Sequence, residues 1–115
     1  MNNFIRLLFK SCFDLDIIEK VDLIEKPPTE EVVTREELIE LFKTNSSPNH
    51  YIGLEISGFL HLGSLISTGF KINDFVKAGV NCKIFLADWH TLINDKLGGD
   101  WETISKVSKY YQDAF

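Results

Sequence analysis

Several absences narrow the class of this chain before any motif is considered. Only two cysteines occur, Cys12 and Cys82, far apart in the sequence. That is too few for a disulfide framework, and the spacing is not that of paired metal ligands. A reducing, cytoplasmic setting is the simplest expectation, with no metal site. Basic residues are in deficit, 12 Lys and Arg against 17 Asp and Glu, for a net charge of −5. A broad basic face for gripping nucleic acid is therefore not expected from this segment. No apolar run approaches the roughly 20 residues of a membrane-spanning helix. Arg6 and Lys10 interrupt the apolar start, so the run of about 7–15 residues that a signal peptide needs is not reached. There is no glycine-rich phosphate loop, no internal repeat and no low-complexity tract.

What remains is a chain of 115 residues, 44% hydrophobic, suited to a single soluble domain. Phe4, Ile5, Leu8, Phe9 and Cys12 recur at helical spacing, and an apolar-acidic stretch runs on to Ile24. Pro27-Pro28 breaks any helix and marks a linker. Thr34 can cap a second helix with Glu37 completing a capping box, and Leu38, Leu41 and Phe42 form its apolar stripe. Residues Tyr51–Glu55 read as a strand, Ile56–Phe59 as a turn. Leu62, Leu65, Ile66, Ile72, Phe75 and Val76 then follow helical periodicity until Gly79. Val80–Ala87 is mostly apolar and predicts a strand buried on both faces. Asp100 can cap a last helix carrying Trp101, Ile104, Val107, Ser108 and Tyr111 along one side.

From Tyr51 the order is strand, helix, strand, helix, which predicts an α/β fold with parallel pairing and a right-handed crossover. Such sheets bind ligands outside the carboxyl ends of their strands. Here those ends carry Glu55–Gly58 and Asp88–His90. The sharpest local feature is His61-Leu62-Gly63-Ser64 at the start of the intervening helix. A helix N-terminus offers unpaired backbone N–H groups and a positive dipole end, which suit phosphate. His61 adds a donor, Gly63 lets a flat group approach the backbone, and Ser57 and Gly58 supply a hydroxyl and a tight turn. Against this stand plainer readings. A lone His61 is more often a surface or capping residue, Asp88 and His90 can simply end a strand, and Tyr51 suits a sheet core. The charges of Glu30, Glu31 and Arg35–Glu37 read as a solvated helix face. Lys96, Lys106 and Lys109 read as surface, and Trp89 and Trp101 as packing residues.

His61–Ser64 resembles the His-Ile-Gly-His signature of class I aminoacyl-tRNA synthetases. The wider runs Tyr51–Ser64 and Leu86–Asp95 are similar to those of archaeal and eukaryotic tyrosyl-tRNA synthetases, the second having Ala-Asp-x-His followed by an asparagine. Two long motifs in register are a specific signal where one would be weak. The resemblance covers about residues 34–115. It implies the first half of a Rossmann-like catalytic domain, residues 48–115, preceded by an N-terminal helical segment, residues 1–47. It further implies that Tyr51 hydrogen-bonds the phenol of a tyrosine substrate, with Gly53, Glu55, Ala87 and His90 lining the same pocket. Ser57, Gly58, His61, Gly63 and Ser64 would bind ATP, accompanied by Mg2+, with no tightly bound cofactor. His61, Gly63 and Ser64 would stabilise charge as tyrosine's carboxylate attacks the α-phosphorus, which is positioning and electrostatics without covalent catalysis by the protein.

Two positions depart from the family pattern: Ser64 stands where a second histidine is usual, and Ile56 where proline is common. No second ATP-binding motif of the Lys-Met-Ser-Lys-Ser type is present. The expected partners are tyrosine, ATP and tRNA in a complete enzyme that is a dimer, with a second polypeptide or a C-terminal half supplying what this chain lacks. Alone, it is expected to be inactive. The competing readings are a tryptophan-activating relative, a non-catalytic half-domain that binds a partner, and a generic nucleotidyltransferase.

Overall fold

A computed structural model describes residues 15–115. The helix expected over Phe4, Ile5, Leu8, Phe9 and Cys12 lies outside the described residues. In chain order come α1 (Ile17–Glu25), α2 (Arg35–Thr44), β1 (Asn49–Leu54) and α3 (Leu62–Ser64). A π-helical turn (Leu65–Gly69) leads into α4 (Phe70–Lys77), then β2 (Asn81–Leu86) and α5 (Asp88–Ile93). A 3-10 turn (Lys96–Gly99) precedes α6 (Trp101–Ala114). Among the described residues no helix is long and apolar enough to cross a membrane.

The apolar-acidic stretch before Pro27 is helix α1, opened by a full capping box. Asp16 Oδ1 accepts from the Glu19 backbone at 2.9 Å, and Glu19 Oε2 accepts from the Asp16 N–H at 3.0 Å. The box expected at Thr34 is half present: Thr34 Oγ1 accepts from the Glu37 N–H at 3.3 Å, and no return bond accompanies it.

The chain divides into two compact units. One holds the described part of Met1–His50 together with Phe70–Cys82. Its core is Val21, Ile24, Phe42, Ala78 and Val80, with Leu38, Phe75 and Cys82 packed against them. Leu41, placed in the apolar stripe by sequence, is instead exposed, because it lies to one side of the buried Phe42. Lys71 closes the carboxyl end of α1 by donating to the carbonyls of Leu23 and Lys26 at 2.9 and 2.6 Å. Arg35 is more than part of a solvated face, since it pairs with Glu25 and Asp22 of α1. Burial pushes the Cys82 thiol above its ordinary value, as for a small buried hydrophobe.

The other unit holds Tyr51–Gly69 and Lys83–Phe115. Its most buried side chains are Ile56, Thr91 and Ile104. As predicted, Asp100 caps α6: its Oδ2 accepts from the Thr103 hydroxyl at 2.5 Å and the Thr103 N–H at 2.8 Å. Those bonds, the hydroxyl's first, hold the Asp100 carboxyl below its usual range. A depressed carboxylate contributes stability in full above its unfolded value of about 3.9 and loses it as pH falls through the folded value. The Thr103 amide resonance should therefore titrate with a midpoint below about 3.9, and a midpoint at or above it would contradict this cap.

The two strands pair as one sheet. The Asn81 N–H donates to the Pro48 carbonyl and the Ala87 N–H to the Leu54 carbonyl, both at 2.8 Å, so partners advance in the same direction and the pairing is parallel. The strands are shifted by a residue or two from the sequence reading, with Val80 in the preceding turn and Ala87 already leading into α5. The expectation that β2 is buried on both faces is corrected. Burial alternates along it, and Asn81, Lys83 and Phe85 are exposed. A mid-strand lysine keeps its ammonium in water, and nothing among the described residues covers that face. The helical stripe after His61 is likewise broken by the π turn, leaving Leu62, Ile66 and Val76 exposed.

Candidate active site

Strand alternation puts Tyr51 and Gly53 on the exposed face of β1, and Tyr51 is 76% exposed. The reading of Tyr51 as a core aromatic is thereby overturned; its phenol is open to a ligand. Phe85 on β2 faces Gly53, its Cδ1 3.8 Å from where a β-carbon would lie. Glu55 follows the end of β1, and Oε1 accepts from Asn94 Nδ2 at 2.8 Å. Ile56, where proline is common in the resembling family, is fully buried, and its N–H donates to Thr91 Oγ1 at 2.9 Å. The Thr91 hydroxyl in turn donates to the Ala87 carbonyl at 2.9 Å.

Ala87 opens α5, in which Asp88 and His90 occupy the first turn in place of ending a strand. His90 is exposed. Trp89 and Trp101 stack on each other, centroids 5.1 Å apart, yet both are exposed. They pack as the sequence suggested, but on each other at the surface.

Ser57 and Gly58 lie in the turn beyond β1, with Gly58 at φ 155°, a value L-residues rarely adopt. His61 follows as the N-cap of α3 and is exposed. Its Nδ1 accepts from the Ser64 N–H at 3.3 Å, and Nε2 lies 3.2 Å from Ser64 Oγ. With Nδ1 accepting, Nε2 is the ring nitrogen that bears a proton, and it faces the Ser64 hydroxyl. Gly63 leaves room for this fold-back, since a β-carbon there would sit a tight 3.2 Å from Nδ1. The serine that replaces a second histidine thus holds the first one.

The predicted residues form two clusters. Glu55 and Ala87 lie at the two strand tips, which the Ala87–Leu54 bond and the Thr91 hydroxyl join, with Tyr51, Gly53 and His90 on the adjoining elements. His61, Gly63 and Ser64 contact one another at the helix start, with Ser57 and Gly58 in the connecting turn. Among the described residues no hydrogen bond joins the two clusters. Sequence reasoning gave no role to Thr91, nor to Asn94, the asparagine of the second motif. The available signal was a threonine four residues after a strand end, where its hydroxyl reaches the carbonyl one turn back.

A helix start after the first of two parallel strands, with polar groups at both strand tips, is the arrangement at which α/β proteins of the doubly wound class bind ligands. Comparison with known proteins identifies the family. The family model for class I tRNA synthetases (W and Y) matches residues 43–114, and the chain belongs to that family. A tyrosine–tRNA ligase of Thermococcus gammatolerans is 55% identical over 97 residues, which are 84% of this chain and 26% of the relative. The tyrosine–tRNA ligase of Pyrococcus furiosus is 54% identical over 99 residues, 85% of this chain and 26% of its own length. The crystal structure of tyrosyl-tRNA synthetase from Pyrococcus horikoshii, complexed with L-tyrosine, superposes with a TM-score of 0.76 at 55% identity. That match covers 82% of this chain and 25% of that one. Tyrosyl-tRNA synthetase of Leishmania major with tyrosinol gives 0.80 at 30% identity, covering 87% and 17%. The chain thus spans about a quarter of the length of the curated relatives it matches.

Proposed function

We propose that the chain supplies the first ATP motif and part of the tyrosine pocket of a tyrosine–tRNA ligase. The observation that carries this is His61 at the start of a helix directly after a parallel strand whose tip bears Glu55. In this reading Tyr51 bonds the tyrosine phenol, and Gly53, Glu55, Ala87 and His90 line the pocket. Ser57, Gly58, His61, Gly63 and Ser64 receive ATP with its Mg2+. As the amino acid's carboxylate attacks the α-phosphorus and pyrophosphate leaves, the Nε2–H of His61 turns from Ser64 to the developing charge. Demanding a hydroxyl partner for Tyr51 rejects phenylalanine, because the analogue leaves a polar group unpaired. Residues 48–115 form the opening half of the catalytic domain and 1–47 a helical lead-in. The remaining half, tRNA, a dimeric state and a cytoplasmic setting belong to the complete enzyme. That the named relatives are tyrosine ligases supports tyrosine over tryptophan.

A second reading, a half-domain that binds a partner without catalysis, is favoured by the exposed Tyr51, Phe85 and Trp89. One experiment separates the two. The chain is assayed for tyrosine-dependent ATP–pyrophosphate exchange alone, and again fused at its carboxyl end to the unmatched three quarters of the Thermococcus relative. No exchange alone and clear exchange by the fusion is the expected result. A folded fusion without exchange would overturn the enzyme reading and leave the partner-binding one.

A further inference from the structure

The parallel pair ends in two segments of irregular backbone, Glu55–Ser57 after β1 and Ala87 after β2. Ala87 keeps backbone partners there, its N–H donating to the Leu54 carbonyl and its carbonyl accepting from the Thr91 N–H, whereas the Ile56 N–H has left the sheet ladder and is met by a side chain. Two side chains, one on α5 and one just after it, reach these tips. Thr91, fully buried on α5, accepts from the Ile56 N–H and donates to the Ala87 carbonyl, each at 2.9 Å. Its hydroxyl therefore spans both tips with its single proton and one lone pair in use. Asn94, immediately after α5, reaches the carboxylate of Glu55 at 2.8 Å.

We propose that Thr91 and Asn94 are positioning residues, a two-point brace that sets Glu55 and the end of β1 against Ala87 for the amino-acid substrate. The proposal rests on the tyrosine–tRNA ligase reading and deepens it. Neither residue needs to touch the substrate. The first fixes the height of the Ile56 backbone, and the second fixes which way the Glu55 carboxylate faces. A pocket preorganised this way binds without paying to order the turn, so loosening the brace weakens amino-acid binding more than the chemical step. The ATP cluster at His61–Ser64 shares no hydrogen bond with the brace, so ATP binding is expected to be spared.

The test uses Thr91→Val, which keeps the volume and removes the hydroxyl, Thr91→Ser, which restores it, and Asn94→Leu at an exposed position. In the fusion, Thr91→Val should raise KM for tyrosine by about tenfold, the worth of one buried hydrogen bond, and Asn94→Leu, which removes an exposed one, by about threefold. The KM for ATP and kcat should stay within about twofold, and Thr91→Ser should return tyrosine KM to near wild type. In the intact 115-residue chain, hydrogen exchange at the Ile56 amide should quicken selectively in Thr91→Val. Loss spread evenly over kcat and both KM values, with exchange faster throughout the unit, would mean a merely structural role and overturn the brace. Unchanged tyrosine KM in Thr91→Val would overturn it too. If that variant does not fold, unchanged tyrosine KM in Asn94→Leu overturns it. A wild-type fusion with no exchange at all would instead overturn the ligase reading on which the brace depends.

Discussion

Replacing His61 by alanine in the fusion is expected to slow tyrosine-dependent pyrophosphate exchange by about 10²–10³-fold, with tyrosine affinity unchanged. That is the usual cost of removing one preorganised donor aimed at charge that develops in the transition state. The imidazole is exposed and holds its Nε2 proton toward Ser64, ready to be redirected. Alanine also removes one of two acceptors for the Ser64 N–H, leaving the His61 carbonyl, and losing a helix cap costs about 1 kcal/mol. His61→Asn separates the effects, since asparagine is a good cap without an imidazole. It should preserve the fold and still lose most of the rate. Exchange within about threefold of wild type in both variants would remove His61 from the chemistry.

Phe42→Ala should cost about 3–5 kcal/mol of folding free energy, read by urea titration with far-ultraviolet circular dichroism. Phe42 is 6% exposed at the centre of the cluster formed with Val21, Ile24, Ala78 and Val80. Its ring also carries the Lys20 ammonium 5.7 Å from the centroid. The site has little capacity to collapse inward. Phe42 already lines a partly open apolar pocket of about 180 Å³, together with Ile24, Leu38 and Phe75, and truncation would enlarge it. Small domains hold only about 5–15 kcal/mol in total, so the variant should be unfolded in a large part of the population under mild denaturant. A loss below about 1.5 kcal/mol would mean that the surrounding helices close over the gap.

What could be read from the sequence depended on how local its cause is. Asp100 and Thr34 announce helix starts because capping is settled within three residues. The Asp16 box was equally local but lay in a stretch whose polar and apolar residues blurred the helical period. The α/β order and the placement of His61 were legible because both follow from periodicity broken by glycine. Burial of β2 was not, since an apolar run does not say which faces are covered; Lys83 in its middle was the clue. Thr91 was invisible for a different reason: its role exists only once the tip of β1 stands beside Ala87, a tertiary fact. The fold-back of His61 onto Ser64 needed atomic distances.

The aromatic side chains are unevenly distributed between the two units, and this affects how unfolding is observed. The sequence has two tryptophans and three tyrosines, and Trp89, Trp101, Tyr51, Tyr110 and Tyr111 all belong to the second unit. Intrinsic fluorescence is therefore blind to the unit built around Phe42. Emission from the stacked indoles records the α5–α6 junction alone, while circular dichroism records every helix. A melting curve taken with one probe and not the other would mistake half of the molecule for the whole.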